Sequence, residues 1–469
     1  MAKFNVYAVH SETQQIHQFL YDNDTSYLFD KTKKIQYPIE GLVKKAETNP
    51  DNYNNIAFPL SKNNPVNKIR DFRKLKISFG LKCNYSCEYC SQRFVPGAEV
   101  DNKTFDLDAY LEKLYSTFNF GEDGLGKVIE FWGGEPLLYW NKIVPLAENI
   151  RKKYKKITFS IITNGSLITK EKADWLYDMG FYVGISHDGP GQKVRGPNPF
   201  DVPKIKEAIL YLHHKFAPEG RTSFNSMLNK DNTSRKAITD YFIELTGNKN
   251  VKIGEGGFVD AYDEGGLEMS LEKECFKKYS KNSFKEIRQH LCTNFYTTKV
   301  KITNFFRTFH FGTSSATISQ KCGMDREYDI AVDLSGNVIT CQNVSANAIA
   351  PNGNSHKIGH IDDFDNIKLT TATHWSHRKD CSTCPVLQIC QGSCMFLEGP
   401  LWDASCNNAY YDNIPFFCAV IEHMTGCIPI YIDGDLPEER KDIFGLFEDG
   451  KFSENNFNSE KFYEFLETP

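Results

Sequence analysis

The sequence predicts an α/β fold: a parallel sheet of six strand–helix units with its helices outside, a small β-rich element before it and a cysteine-rich region after it. Three observations carry this. From Lys74 to about residue 290, strand-like and helix-like segments alternate six times, the pattern of consecutive βα units. Before residue 72 there are only short apolar runs broken by Asn, Asp and Lys. The 14 cysteines are unevenly placed, with three between Cys83 and Cys90, four between Cys381 and Cys394 and none between Cys90 and Cys275. Six units fall short of the eight that close a full barrel, so a partial (β/α)6 arrangement is expected.

The chain has 469 residues, enough for about three domains at ~150 residues each. Divisions are expected at 1–72, 73–300, 301–430 and a tail at 431–469. With 40% hydrophobic and 25% charged residues the chain reads as globular. The net charge of −5 offers no basic surplus for nucleic acid or an anionic membrane. The opening MAKFNVYAVHSE lacks a charged segment followed by an apolar one. No apolar run approaches the ~18 residues of a membrane span. A cytoplasmic protein is expected, and in a reducing compartment clustered cysteines signify metal or redox chemistry rather than disulfides.

In order, FNVYAV, HQFLYD and SYLFD read as strands, followed by a short helix from about Gly41 to Glu47 and a linker from Ser61 to Lys68. Leu75, Ile77 and Phe79 alternate as the first strand of the parallel set. Leu107, Tyr110, Leu111, Leu114 and Phe118 share a helical face behind an Asp106 N-cap. VIEFW, ITFSII, YVGIS, TSFNSML and VKIGE are the later strands. Helices are expected from about Lys142, Thr169, Ile205 and Arg235, and after Leu271. Beyond residue 300 turns and short strands are expected until about 430, then a short helix near Glu460 to Glu467. In such sheets the chemistry sits at the C-terminal ends of the strands.

Cys83, Cys87 and Cys90 form a Cys-x3-Cys-x2-Cys loop just after the first strand. Three close thiolates can wrap one face of a cubane iron–sulfur cluster and leave one iron open. A structural zinc site wants four ligands, so on spacing alone a zinc knuckle with a distant fourth ligand stays open as a reading. Gly133-Gly134-Glu135-Pro136 follows VIEFW. Its glycines let the backbone approach a ligand, its carboxylate suits an ammonium, and its proline stiffens the turn.

With Tyr89 before the third cysteine, this loop resembles the signature of the radical S-adenosylmethionine (SAM) enzymes. The resemblance implies an open iron that chelates the methionine end of SAM, and a 5′-deoxyadenosyl radical that takes a hydrogen from substrate. It implies SAM-binding roles for Tyr89, Gly133, Gly134, Glu135 and Pro136, for Thr163 and Asn164 after the third strand, and for Ser186, Asp188 and Arg195 after the fourth. Arg195 would meet the SAM carboxylate with its planar fork. His187 reads as a packed or solvated histidine.

Cys322 and Cys341 precede the run Cys381-x2-Cys384-x5-Cys390-x3-Cys394, and Cys406, Cys418 and Cys427 follow. The run alone also reads as a zinc ribbon, but seven or more cysteines exceed one zinc. The arrangement resembles a SPASM domain, which implies two auxiliary 4Fe–4S clusters and three such clusters in all. By position, Cys322, Cys341 and Cys394 would serve the first. Cys381, Cys384, Cys390 and Cys418 would serve the second, because FFCAVIEHM resembles the usual closing segment. No cysteine stands shortly before Cys322, so the first auxiliary cluster recruits Cys406 or Cys292, or keeps an open iron. Gln342 follows Cys341 where sulfatase-maturing relatives have an aspartate base, which argues against formylglycine formation.

The resemblance thus implies an oxidoreductase that modifies a ribosomally made peptide, with a precursor peptide as substrate and a reducing partner such as flavodoxin or ferredoxin. Crosslinking is favoured over epimerisation, which needs a hydrogen donor; Cys275, Cys292 and Cys427 are the spare thiols. Residues 1–72 are read either as a leader-peptide-binding module or as a capping β-element. The rivals are a SPASM-type enzyme acting on a small molecule and a non-enzymatic zinc-binding scaffold.

Overall fold

The computed structural model describes residues 2–38, 65–93, 95, 105–350, 353–370, 373–448 and 450–468. The expected helix at Gly41 to Glu47, and the linker up to residue 64, lie outside the described residues. The first strands are β1 (Lys3–His10), β2 (Ile16–Asp22), β3 (Tyr27–Asp30) and β4 (Ile35–Tyr37). Alternate side chains of β2 and β3 are buried, the period that made them legible. β4 is three residues long, too short to announce itself by alternation. A two-residue strand, β5 (Val66–Asn67), precedes the main sheet.

That sheet begins with β6 (Lys74–Ser78), β7 (Val128–Trp132), β8 (Thr158–Thr163), β9 (Phe181–Ser186), β10 (Thr222–Leu228) and β11 (Ile253–Phe258), all parallel and side by side in chain order. The first five strands lead into α1 (Leu107–Thr117), α2 (Trp140–Lys153), α3 (Lys170–Asp178), α4 (Pro203–Phe216) and α5 (Arg235–Thr246). After β11 come the short α6 (Glu264–Glu268) and then α7 (Phe276–Arg288) and α8 (Tyr296–Phe311). Asp106, Thr169 and Ser234 cap α1, α3 and α5, each side chain accepting a backbone N–H of the first turn.

The sheet then extends past the six expected strands. β12 (Asp329–Asp333) runs parallel to β6, and β13 (Asn337–Ile339) and β14 (Lys357–His360) follow antiparallel. The result is a nine-stranded mixed sheet whose edges are β11 and β14. β15 (Lys368–Leu369) pairs with β5.

The largest departure from expectation lies after residue 380. Two single-turn helices, α9 (Lys379–Ser382) and α10 (Leu387–Cys390), lead into α11 (Gly399–Thr425), 27 residues where short strands and turns were expected. Its buried residues run around most of its circumference, so no apolar stripe marks it in the sequence. Pro415 lies inside it and removes the partner of the Tyr411 carbonyl. Ser280 Oγ on α7 donates to that carbonyl at 3.3 Å. Arg235 on α5 is buried and ion-paired with Asp412 on α11. Lys301 on α8 (3.1 Å) and Tyr279 on α7 (2.6 Å) reach the same carboxylate, which is held below the usual carboxylate range by the two cations. One buried charge network therefore ties the last unit of the parallel sheet to the C-terminal helices.

β16 (Cys427–Asp433) pairs antiparallel with β1, so the sheet order at this end is β16-β1-β2-β3-β4. The expected division after residue 430 falls inside β16. Short α12 (Glu438–Lys441) and α13 (Ser459–Glu467) follow.

Candidate active site and cysteine centres

β6 delivers the chain to the first cysteine loop. Backbone N–H groups of Tyr85 and Gln92 point at Cys83 Sγ and Cys90 Sγ, each at 3.4 Å. The GGEP turn is docked on this loop. A Cβ at Gly134 would lie 2.3 Å from the Leu81 carbonyl and 2.4 Å from that of Lys82, so the close approach requires glycine. Glu135 N donates to the Lys82 carbonyl at 2.9 Å. The buried Glu135 carboxylate accepts from Thr163 Oγ1 (2.6 Å), Leu137 N (3.0 Å) and Asn164 N (2.8 Å). It thereby clamps the end of β8 to the end of β7. Burial raises its pKa against those three donors. Asn164 Nδ2 in turn donates to Asn84 Oδ1, inside the cysteine loop, at 2.9 Å.

The end of β9 supplies the second half. The Tyr89 hydroxyl donates to Asp188 Oδ2, and Arg195 Nη1 donates to Tyr89 Oη at 2.7 Å and lies 3.4 Å from Asp188 Oδ1. Met227 N also donates to Asp188 Oδ1, at 3.0 Å. Burial raises the Asp188 pKa, and Arg195 opposes the rise. Cys87 is pushed up to about 11 by burial, with Arg195 the first opposing charge. Among the described residues Arg195 Nε and Ser226 Oγ are buried without a hydrogen-bond partner, so both are open to a polar group bound here. Ser186 is half-buried at the end of β9, opposite Asn225 of β10. His187 is a packing residue: fully buried, hydrogen-bonded to Asn198 and ringed by Phe200, Tyr241 and Phe242.

Cys322, Cys341 and Cys394 converge on one cavity of about 770 Å³, whose other walls include Glu130, Trp132, Tyr182, Asn225 and Glu255 of the parallel strands. Cys341 and Cys394 also line a neighbouring cavity together with Cys90. Glu255 holds φ +57° between glycines in IGEGGF, a backbone state rare for a non-glycine residue. The β10–β11 register also shifts between Ser226 and Leu228.

Cys381, Cys384, Cys390 and Cys406 line a separate pocket with Trp402 and Tyr410. Cys418, expected to close the second group, does not line this pocket, whereas Cys406, offered to the first group, does. Both lie on α11, so twelve residues of helix, ~18 Å, separate them. Cys418 is fully buried, and its Sγ donates to the Pro429 carbonyl at 3.7 Å. Cys292, the other alternative for the first group, is buried beside Arg235 and Thr298.

Burial first, then neighbouring thiols, push Cys384 and Cys390 up to about 12. Such grouped thiols ionise together only when a metal centre compensates them. Among the described residues no three His, Cys, Asp or Glu side chains stand close enough to hold a single metal ion. The all-sulfur donor sets of the cysteine groups, with the N–H···S contacts at Cys83 and Cys90, fit iron–sulfur clusters.

The model of the Radical SAM superfamily matches residues 77–238. Residues 77–238 of this chain therefore carry a radical SAM domain. Among its relatives, the radical SAM cyclopropyl synthase TigE of Paramaledivibacter caminithermalis is 27% identical over 209 residues, 40% of this chain and 42% of that protein's length. The cysteine-type anaerobic sulfatase-maturating enzyme of Clostridium perfringens (strain 13 / Type A) is 25% identical over 361 residues, 70% of this chain and 90% of its own. The solved structure of native anSMEcpe with bound AdoMet and Cp18Cys peptide superposes with a TM-score of 0.51 at 21% identity, covering 74% of this chain and 96% of that one. The chain thus shares its fold with that structure beyond residues 77–238, and its C-terminal region is SPASM-like.

No helix of the radical SAM enzyme, among the described residues, is long and apolar enough to cross a membrane. The sequence did not single out Lys76, Gln92 or Lys321, and the last of these lines the large cavity with Cys322. Lys76 lies in an apolar strand and Gln92 in a polar loop, and no motif marks Lys321 beyond its place beside Cys322.

Proposed function

We propose that this radical SAM enzyme modifies a ribosomally made peptide, with an intramolecular crosslink as the favoured outcome and epimerisation as the alternative. The observation that carries the reading is that Cys341 and Cys394 line both the cavity shared with Cys90 and the large cavity of the sheet. A substrate in the large cavity can therefore meet both the SAM end of the site and an auxiliary centre. Cys83, Cys87 and Cys90 would hold the SAM-binding cluster. Cys322, Cys341 and Cys394 would hold an auxiliary cluster one protein ligand short, and Cys381, Cys384, Cys390 and Cys406 a fully ligated one. With SAM bound, the first of these centres would supply the electron for radical hydrogen abstraction from substrate.

The chain's own residues bind and orient. Glu135 fixes the GGEP turn against the Thr163-Asn164 end of β8. Tyr89, Asp188 and Arg195 form a charged wall beside Cys87 that suits the SAM carboxylate. The bound peptide of the anSMEcpe structure supports a peptide substrate, while Gln342 in place of a carboxylate speaks against sulfatase maturation. β4, an edge of its sheet among the described residues, suits strand addition by a leader peptide. A flavodoxin or ferredoxin would supply electrons.

The test is anaerobic reconstitution followed by incubation with SAM, a reductant and the peptide encoded beside this gene. About a dozen irons per chain, 5′-deoxyadenosine release and a peptide lighter by two hydrogens are expected. An unchanged mass with altered chirality would favour epimerisation. A colourless zinc protein that leaves SAM intact would overturn the proposal.

A further inference from the structure

Lys76 is the one charged residue at the centre of β6, between Leu75 and Ile77 of the core. It is 5% exposed, and a buried ammonium is costly unless something uses its charge. Its Nζ donates to Gln342 Oε1 at 2.9 Å. No ion pair to Lys76 occurs among the described residues, so the buried charge meets a neutral amide. Gln342 directly follows Cys341, whose Sγ is 3.5 Å from the same Oε1. The Lys76 ammonium and the Cys341 thiol therefore meet at one amide oxygen, which places the charge beside Cys341. The Gln342 carbonyl accepts from Gln92 Nε2 at 3.3 Å, and Gln92 N donates to Cys90 Sγ at 3.4 Å. Gln342 therefore sits between the two cysteine centres and is held from both sides.

We infer that Lys76 is a positioning residue that sets the reduction potential of the centre carried by Cys322, Cys341 and Cys394, with Gln342 holding its charge in place. The inference rests on the cluster reading proposed above. An iron–sulfur centre gains one negative charge when it accepts one electron. A fixed cation beside it stabilises the reduced form and raises the potential, because cluster potentials follow local charge and hydrogen bonding. Three thiolates with no fourth protein ligand give an anionic centre facing the substrate cavity. The Lys76 ammonium makes it a better electron acceptor, as an oxidative crosslink requires.

The test is an anaerobic redox titration of the reconstituted full chain, with dithionite as one-electron donor through mediators and electron paramagnetic resonance as the readout. Iron content is measured alongside, and the relevant signal is identified as the one lost in C341A. In K76M that signal is expected at a more negative potential, with iron content unchanged and the other two centres unmoved. K76R should restore the wild-type value. Q342L, which keeps the charge but frees it, should shift the potential in the same direction by less, and it serves if K76M fails to load iron. An unmoved potential in a fully loaded K76M, or an equal shift at every centre, would overturn the inference. If C341A loses neither iron nor a signal, no cluster resides there, and the cluster reading falls together with the inference.

Discussion

Arg440 Nη2 donates to Cys406 Sγ across 3.5 Å. The buried guanidinium thus points at the one cysteine of α11 that faces Cys381, Cys384 and Cys390, and not at Cys418. Cys406→Ala is expected to remove about four irons, the content of one cubane, while Cys418→Ala leaves the iron content intact. Iron assay of the two reconstituted variants decides this. Equal loss in both would reject the reassignment.

Glu135 accepts three hydrogen bonds that join two loops, and a glutamine there must turn an N–H toward at least one donor. Hydrogen bonds to a charged group contribute about 1.5–3 kcal/mol. Glu135→Gln should therefore weaken SAM binding by roughly ten- to a hundredfold. Equilibrium dialysis with labelled SAM measures this, and an unchanged affinity would show that the clamp is not needed to shape the pocket.

Removing Arg235 leaves the buried Asp412 carboxylate under-compensated, with Lys301 and Tyr279 as its remaining side-chain partners among the described residues. Breaking a buried pair from one side costs about 3–5 kcal/mol. Arg235→Met should lower the urea midpoint accordingly, and adding Asp412→Leu should recover part of the loss. If the double variant proves no better than the single one, the penalty does not come from the unpaired charge.

His187, His213 and His356 are buried, and burial lowers each to about 4. Between pH 4 and 6.5 the unfolded chain binds protons that these folded histidines refuse, so stability rises with pH across that window and is lost as pH falls through it. Each histidine accounts for ~2 kcal/mol between pH 7 and pH 5. His213 offers the cleanest check, since its Nδ1 has no hydrogen-bond partner and its ring stacks on Phe224. His213→Phe should lose less stability than the wild type over that interval in anaerobic urea unfolding, and identical pH slopes would count against it.

The parallel sheet was readable because its parts are local. Asp106 caps α1 where the apolar stripe begins, and each strand is a short β-branched or aromatic run bounded by turns. The Cys83–Cys90 loop was readable because its three cysteines lie within eight residues. The second cysteine region was harder, because its ligands come from separate elements. Choosing between Cys406 and Cys418 required knowing that one uninterrupted helix carries both. That helix hides itself, being buried nearly all round and containing Pro415. Lys76 was hidden for a different reason: its role depends on Gln342, 266 positions away.

The pairing of β1 with β16 gives this enzyme a particular order of assembly. β1 must wait, with one edge uncovered, until residues 427–433 emerge. Every cysteine named here as a cluster ligand is synthesised before that final strand. Iron delivery to a growing or newly released chain can therefore precede closure of the terminal sheet. A chain truncated after α11 would leave β1 free to recruit a neighbour's strand and aggregate.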